Sequence, residues 1–269
     1  MDTLTVIVVS YNTQQMTLDC LKSIYAQTKK IKFNVIVVDN NSRDDSAKLI
    51  AKEFPHVQLI SLSENIGFSK ANNLAATNIK NKYILLLNPD TVVLNNAIEK
   101  LVDFAEQHPN SGIWGGKTLN ADYSLNPTSC WGKMSVWSLL CRALFLSSLF
   151  PKSELFNPES YGNWQRNTVR EIDIVTGCFL LIKSNLWHQL KGFDNDFFMY
   201  GEEADLCLRA KKLGYQPLFT PEAEIVHYDG ASEKIKEDRA LNNKEEAIFD
   251  EIKKNIDSVD KFIEKRLKI

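Results

Sequence analysis

Four short apolar runs in the first half of the chain each stop on a polar cluster and hand over to a helix-spaced segment. Leu4 to Val9 ends on Ser10-Tyr11-Asn12, and Phe33 to Val38 on Asp39-Asn40-Asn41-Ser42. Val57 to Leu62 ends near Glu64-Asn65-Ile66-Gly67, and Tyr83 to Leu87 on Asn88-Pro89-Asp90. The apolar character of these runs predicts strands buried on both faces. Between them, Met16, Leu18, Leu21, Ile24 and Tyr25 recur near helical spacing, with Thr13 placed as a cap. Ala47 to Phe54, Ser69 to Ile79 and Asn96 to Gln107 read as three further helices. Such alternation predicts a parallel sheet covered on both faces, with right-handed crossovers. Ligands of these sheets bind outside the carboxyl ends of the strands. All four polar clusters fall on that edge.

The second half is less regular. Gly112 to Lys117 reads as a strand, residues 118–133 as loop, and Ser135 to Phe150 as an apolar helix. Glu171 to Ile174 and Phe179 to Ile182 read as strands around Thr176-Gly177. Glu202 to Leu213 is a helix stopped by Gly214. Ile225-Val226-His227 is a last short strand. From Arg239 to Ile269 the chain is charged and helix-spaced, with Ile248, Phe249, Ile252, Ile256, Val259, Phe262 and Ile263 in one stripe.

A length of 269 residues suits one α/β domain with a helical appendage. The net charge of −2 supplies no basic field, so nucleic acid is not an expected partner. Cys20, Cys130, Cys141, Cys178 and Cys207 are odd in number and widely spaced, with no C-x-x-C. Buried free thiols in a reducing compartment are expected, not a zinc site or a disulfide framework. The N-terminal MDTLTVIVVSYN has no basic n-region and too short an apolar run for a signal peptide. The longest apolar stretch, Met134 to Phe150, is interrupted by Arg142, so no membrane span is expected. The expected location is the cytoplasm.

Several of these residues have chemistry to offer. Asp39 follows a buried strand, where a carboxylate can accept an N–H from a uracil or thymine ring, or close an Asx-turn. Pro89 ends its strand's ladder and leaves Asp90 at the sheet edge. A carboxylate there suits Mg²⁺ or Mn²⁺ beside a pyrophosphate, or serves only to begin the next helix. The run Phe197 to Gly201 leads into Glu202, Glu203 and Asp205 in a first helical turn. The helix dipole alone favours acids there, by ~0.3–1 kcal/mol each. A general base for a hydroxyl nucleophile is the functional alternative. His227 ends its strand as a structural histidine or as a neutral nitrogen ligand. Gly67 allows close backbone approach to a ligand, and Lys70 and Asn72 behind it can reach phosphate or ribose. The chain contains neither G-x-x-x-x-G-K-[ST] nor G-x-G-x-x-G.

Taken in order, TVIVVSYN, VIVVDNNSRDDS, ENIGFSKANN, YILLLNPDTVV, VTGCFLLI, FDNDFFMYGEEADLCLR and IVHYDGAS resemble a family-2 glycosyltransferase of the GT-A fold, close to the bacterial rhamnosyltransferase-like branch. The resemblance runs from residue 5 to 232. It implies an inverting, metal-dependent enzyme that uses Mg²⁺ or Mn²⁺ and a nucleotide-diphosphate sugar, dTDP-rhamnose or a UDP-sugar. The acceptor it implies is a hydroxyl of a glycan or lipid-linked acceptor in bacterial surface polysaccharide synthesis. By resemblance, Ser10, Tyr11, Asn12 and Asp39 hold the base, and Asn65, Gly67 and Asn72 line the nucleotide-sugar pocket. Asn88 and Asp90 stand in place of the usual Asp-x-Asp, with Asp90 on the metal and His227 as the C-terminal metal ligand. Thr176 and Gly177 face the sugar or acceptor, with Trp131 assigned to the same side. The family's usual base is the Asp of an Glu-Asp pair; here that position is Glu203, with Glu202 and Asp205 as alternatives.

The implied GT-A domain covers 1–235, with a nucleotide-sugar half at 1–117, an acceptor half at 118–235 and a helical extension at 236–269. The segment SVWSLLCRALFLSSLF fits a helix packed on the domain, a homodimer interface, or an interfacial helix at the inner face of the membrane. The lysines from Lys253 to Lys268 are interspersed with acids, as on a solvated helix face. Two other classes fit part of the pattern. A nucleotidyltransferase would need a Gly- and Lys/Arg-rich phosphate loop that SYNTQQ does not offer, and a catalytically inactive sugar-nucleotide-binding protein would tolerate the departures at Asn88 and Glu203.

Overall fold

The computed structural model describes residues 3–228. The expected 236–269 extension, with its apolar stripe and lysines, lies outside the described residues, as do Asp229 and Gly230. The first half follows the alternation closely. Strands β1 (Leu4–Ser10), β2 (Phe33–Asp39), β3 (Gln58–Ser61) and β4 (Tyr83–Leu87) alternate with helices α1 (Gln14–Gln27), α2 (Ser46–Glu53) and α3 (Phe68–Ala76). Strand β5 (Thr91–Val93) and helix α4 (Ala97–Gln107) follow. β1 pairs in parallel with β2 and β4, and β2 with β3. Thr13 stands at the N-cap of α1, but its side chain caps no helix amide. Its hydroxyl instead joins those of Ser10 and Thr17, at 3.2 and 3.1 Å.

The second half is more ordered than its sequence suggests. Strand β6 (Ile113–Leu119) is followed by β7 (Leu125–Asn126) and β8 (Cys130–Trp131), with a 3-10 turn at Pro127–Ser129 between them. These occupy a stretch expected to be loop. The expected helix over 135–150 is two helices, α5 (Val136–Ala143) and α6 (Leu146–Leu149). Phe145 breaks it by adopting a left-handed conformation, φ 58°, with its amide donating to Arg142 O at 3.0 Å. Then come β9 (Arg170–Glu171), β10 (Ile174–Val175), β11 (Phe179–Lys183), α7 (Ser184–Leu190), α8 (Glu202–Lys212) and β12 (Leu218–His227).

The main sheet runs β3-β2-β1-β4-β11-β6-β12-β5, with β7 on β6 and β9 on β12. β8 and β10 form a separate small sheet. Strands β1 to β4 are parallel as expected. Beyond them the sheet is mixed: β11 lies antiparallel between β4 and β6, and β12 is parallel to β6 but antiparallel to β5. Alternate side chains of β1 feed two cores. Val6 and Val8 face the core that includes residues of α1 and α4, while Ile7 and Val9 face the core that includes residues of α3 and α8. Each such burial contributes roughly 1.5–3 kcal/mol. All five cysteines are buried and free, and burial pushes the thiols of Cys20 and Cys207 up to about 12.

Candidate active site

A cavity of about 660 Å³ is lined by residues that follow β1, β2, β3 and β4, and therefore lies at the carboxyl edge of the parallel strands. Its volume is within the range of ~300–1,000 Å³ usual for small-ligand sites.

The β4 end supplies Asn88 and Asp90. The Asn88 amide donates to Cys178 O at 3.2 Å, and the Tyr228 amide donates to Asp90 O at 2.9 Å. β12 pairs with β5 so that His227 stands opposite Thr91. That register brings His227 Nε2 to 3.2 Å from Asp90 Oδ1 and 3.4 Å from Asn88 Nδ2. Asp90 and His227 are both buried. A carboxylate oxygen and an imidazole nitrogen thus converge in a ligand cavity. Mg²⁺-type cations are commonly held by one or two carboxylates, with substrate phosphate and water completing the shell. Asp90 fits that mode, and His227 adds a neutral nitrogen donor beside it. Among the described residues, no group of three or more His, Cys, Asp or Glu side chains forms an all-protein cage.

The β2 and β3 ends are tied together. Asn40 Nδ2 donates to Asn65 Oδ1 at 2.8 Å, and Asn40 Oδ1 accepts from the Ile66 amide at 3.0 Å. Asn65 Oδ1 also accepts from the Gly67 amide at 3.0 Å. Gly67 has φ 84°, and a Cβ there would lie 2.6 Å from Phe198 O. Only glycine meets both constraints without strain. The bare backbone at residue 67 is therefore where the strand-end loop meets the segment leading into α8.

That segment is held from α3. Asn73 accepts from the Phe193 amide at 2.9 Å and donates to Phe193 O at 2.9 Å and Asn195 Oδ1 at 2.8 Å. Tyr200 and Gly201 then adopt successive positive φ values of 69° and 94°. This sharp turn delivers Glu202 and Glu203 to the cavity wall. A bulky residue in the left-handed region is strained, and such strain clusters at functional sites. Glu202 is buried, and burial pushes its carboxyl well above the usual range, with the Glu203 charge adding to the shift. Burial raises Glu203 as well. Two carboxyls in one desolvated site resist double ionisation.

The remaining wall is built from β8 and the turn before β11. Trp131 lies opposite Ile174 in the small sheet, and its carbonyl accepts from Tyr161 Oη at 3.0 Å. The Thr176 hydroxyl donates to Thr128 O, and its amide donates to Ser129 O at 3.3 Å.

Of the residues expected from sequence, Tyr11, Asn65, Gly67, Asn88, Asp90, Trp131, Thr176, Gly177, Glu202, Glu203 and His227 line this cavity. The others sit elsewhere. Ser10 is buried among hydroxyls, 2.9 Å from Thr17 Oγ1. Asn12, at φ 55°, accepts from the Arg43 amide at 2.7 Å. Lys70 is exposed outside the cavity, and Asn72 Nδ2 donates to Phe68 O at 2.9 Å within α3. Asp39 does form an Asx-type contact, Oδ2 accepting from the Ser42 amide at 3.2 Å; its Oδ1 is buried with no hydrogen-bond partner. Asp205 is not brought to the cavity. It is fully buried and its carboxylate accepts from Arg209 Nε at 2.7 Å, one helical turn on. Arg209 also donates to Leu190 O at 2.7 Å and Gly192 O at 2.8 Å, which makes the pair a brace. Asn40, Phe68, Thr128 and Phe198 line the cavity without having been singled out as ligand residues. Asn40 stood in sight within DNNS, where it reads as a turn residue; Thr128 stood in a stretch that read as loop.

Residues 5–142, just over half of the chain, match the profile of glycosyl transferase family 2. The chain is 25% identical over 247 residues to N-acetylglucosaminyl-diphospho-decaprenol L-rhamnosyltransferase of Mycobacterium tuberculosis, covering 86% of this chain and 78% of that protein. It is 26% identical over 239 residues to rhamnosyltransferase WbbL of Escherichia coli, covering 83% and 82%. Its fold is similar to that of the mannosyltransferase PcManGT from Pyrobaculum calidifontis, solved with GDP-Man and Mn²⁺, with a TM-score of 0.57 and 20% identity. That match covers 84% of this chain, which spans only 56% of the length of the solved one. The sheet order, the cavity at the strand ends and these likenesses agree on a GT-A arrangement, and the chain belongs to glycosyl transferase family 2.

Proposed function

We propose that this glycosyltransferase is inverting and metal-dependent, and moves a sugar from a nucleoside-diphosphate donor to a hydroxyl of a lipid-linked glycan in bacterial surface polysaccharide synthesis. Rhamnose is the favoured sugar, because two relatives matched over 78% and 82% of their length are named rhamnosyltransferases. The observation that carries the reading is one cavity holding both the Asp90–His227 pair and the Glu202–Glu203 pair.

Each pair has its task. Asp90 and His227 would hold Mg²⁺ or Mn²⁺, which supplies positive charge to the diphosphate as it departs. Asn65 and the bare backbone at Gly67 line the donor side, and the unpartnered Asp39 Oδ1 can accept an N–H from a pyrimidine base. Burial raises both carboxyls and Glu202 the more strongly, with the Glu203 charge adding to its shift, so the pair's negative charge favours Glu203. Glu203 then takes the proton of the acceptor hydroxyl as its oxygen attacks the anomeric carbon. The bond from that carbon to the diphosphate oxygen breaks on the opposite face, so configuration inverts.

Thermal shift with dTDP- and UDP-sugars, with and without Mn²⁺, tests this. A donor at 100 times its Kd raises stability by about 2.7 kcal/mol. The expected result is stabilisation that needs the ion and disappears in Asp90→Ala and His227→Ala. A protein that no nucleoside-diphosphate sugar stabilises would contradict the reading.

A further inference from the structure

Eight of the fourteen large apolar side chains exposed among the described residues fall between Val136 and Leu155. Helix α5 lies inside out. Ser138 and Cys141 are its buried residues, while Val136, Trp137, Leu140 and, just past its end, Leu144 are exposed. An amphipathic helix of a globular domain normally buries its apolar stripe and solvates its polar one. After the Phe145 turn the pattern continues: Phe145 is 75% exposed and Leu149 70%. Looseness does not account for this. Ser135 and Ser138 form a reciprocal capping box, Trp137 Nε1 donates to Leu155 O at 2.7 Å, and Arg142 pairs with Glu159.

We propose that residues 136–155 are a membrane-docking hairpin that seats its apolar stripe in the headgroup–acyl boundary of an anionic bilayer. α5 has eight residues and α6 four, and no helix among the described residues is long and apolar enough to cross a membrane. Lying in the interface is the arrangement that buries such a stripe. The exposed aromatics Trp137, Phe145 and Phe150 suit that depth. Exposed Lys133 and Lys152 flank the stripe and complement acidic headgroups. A second copy is the poorer occupant, because a two-fold contact sets the same patch, and the same lysines, against itself.

The hairpin is fastened to the cavity. Arg142 binds Glu159, the Gly132 amide donates to Glu159 O at 2.8 Å, and Tyr161 joins the carbonyl of the cavity residue Trp131. Docking therefore presents the Trp131 wall to the bilayer surface. That consequence deepens, and rests on, the reading of the acceptor as lipid-linked; the docking itself does not.

The test is co-sedimentation of the full chain with phosphatidylcholine vesicles, with and without phosphatidylglycerol, comparing the parent with the triple variant Leu140→Ser, Phe145→Ser, Leu149→Ser. All three side chains are exposed and none lines the cavity, so the fold should persist, as circular dichroism would verify. The parent should bind phosphatidylglycerol vesicles and be weakened by salt, and the variant should partition at least about tenfold less. Turnover of a soluble acceptor should be unchanged in the variant. A parent that stays in the supernatant, or a variant that binds equally well, overturns the docking. So does a parent dimer that the variant converts to monomer without vesicle binding. Failure of the parent on every acceptor would instead count against the proposed reaction, and vesicle binding would stand apart from it.

Discussion

The backbone amide of Phe68 donates to the carbonyl of Phe198 at 2.8 Å, joining the loop that follows β3 to the segment that carries Glu202 and Glu203. Gly67 permits this contact, because it combines φ 84° with no room for a side chain: a Cβ there would lie 2.6 Å from Phe198 O. The proposed donor pocket and the proposed base are thus one mechanical unit.

Gly67→Ala should therefore raise donor KM and lower kcat together, and cost about 1–3 kcal/mol of stability. Gly214→Ala is the control. Its φ is similar, 88°, but a Cβ there meets nothing within 4 Å. It should lose stability from backbone strain alone and leave both kinetic constants unchanged. Steady-state kinetics and denaturant melts separate the two.

Asp205→Ala should destabilise the protein rather than abolish its chemistry. Removing one member of a buried ion pair costs about 3–5 kcal/mol. Arg209 would also lose its orientation toward Leu190 O and Gly192 O. Urea melts should show the loss, while donor affinity per folded molecule stays near that of the parent.

Glu202→Gln should be more stable than the parent at alkaline pH and no more stable at acid pH. The folded-state pKa of Glu202 is raised by burial and by Glu203. Its protonated form is therefore favoured by the fold, and the parent loses stability as pH rises from the unfolded pKa through the folded one. Each pH unit of that window corresponds to about 1.4 kcal/mol. Thermal melts of the metal-free protein across pH should show a shallower alkaline decline in the variant.

Strands β1, β2 and β4 were legible because Val-, Ile- and Leu-rich runs ending on Asn, Asp and Ser admit few other folds; β3, interrupted by Gln58 and exposed there and at Ser61, is the edge strand beside them. β5, only three residues long, carries no period to detect. β12 is ten residues long, but Pro221 and Glu222 interrupt its first part, and its pairing with β6 slips between Phe219 and Glu224. Only its last three residues therefore read as strand. The contact of Asn88 with His227 spans 139 residues and depends on that unreadable pairing. The three acids of α8 were visible, but which would face the cavity was not, because Arg209 four residues on claims Asp205. The outward stripe of α5 was hidden for a related reason: periodicity shows that a helix has an apolar face, not which way it turns.

The central claim is that Glu203 activates the acceptor over a donor whose diphosphate meets a metal ion held by Asp90 and His227. Its most direct test is the turnover of Glu203→Gln beside its donor affinity, measured with Mn²⁺ present. Loss of a general base lowers turnover by about 10²–10⁴-fold, and donor Kd should stay within a factor of about three of the parent. Turnover retained by Glu203→Gln would contradict the account.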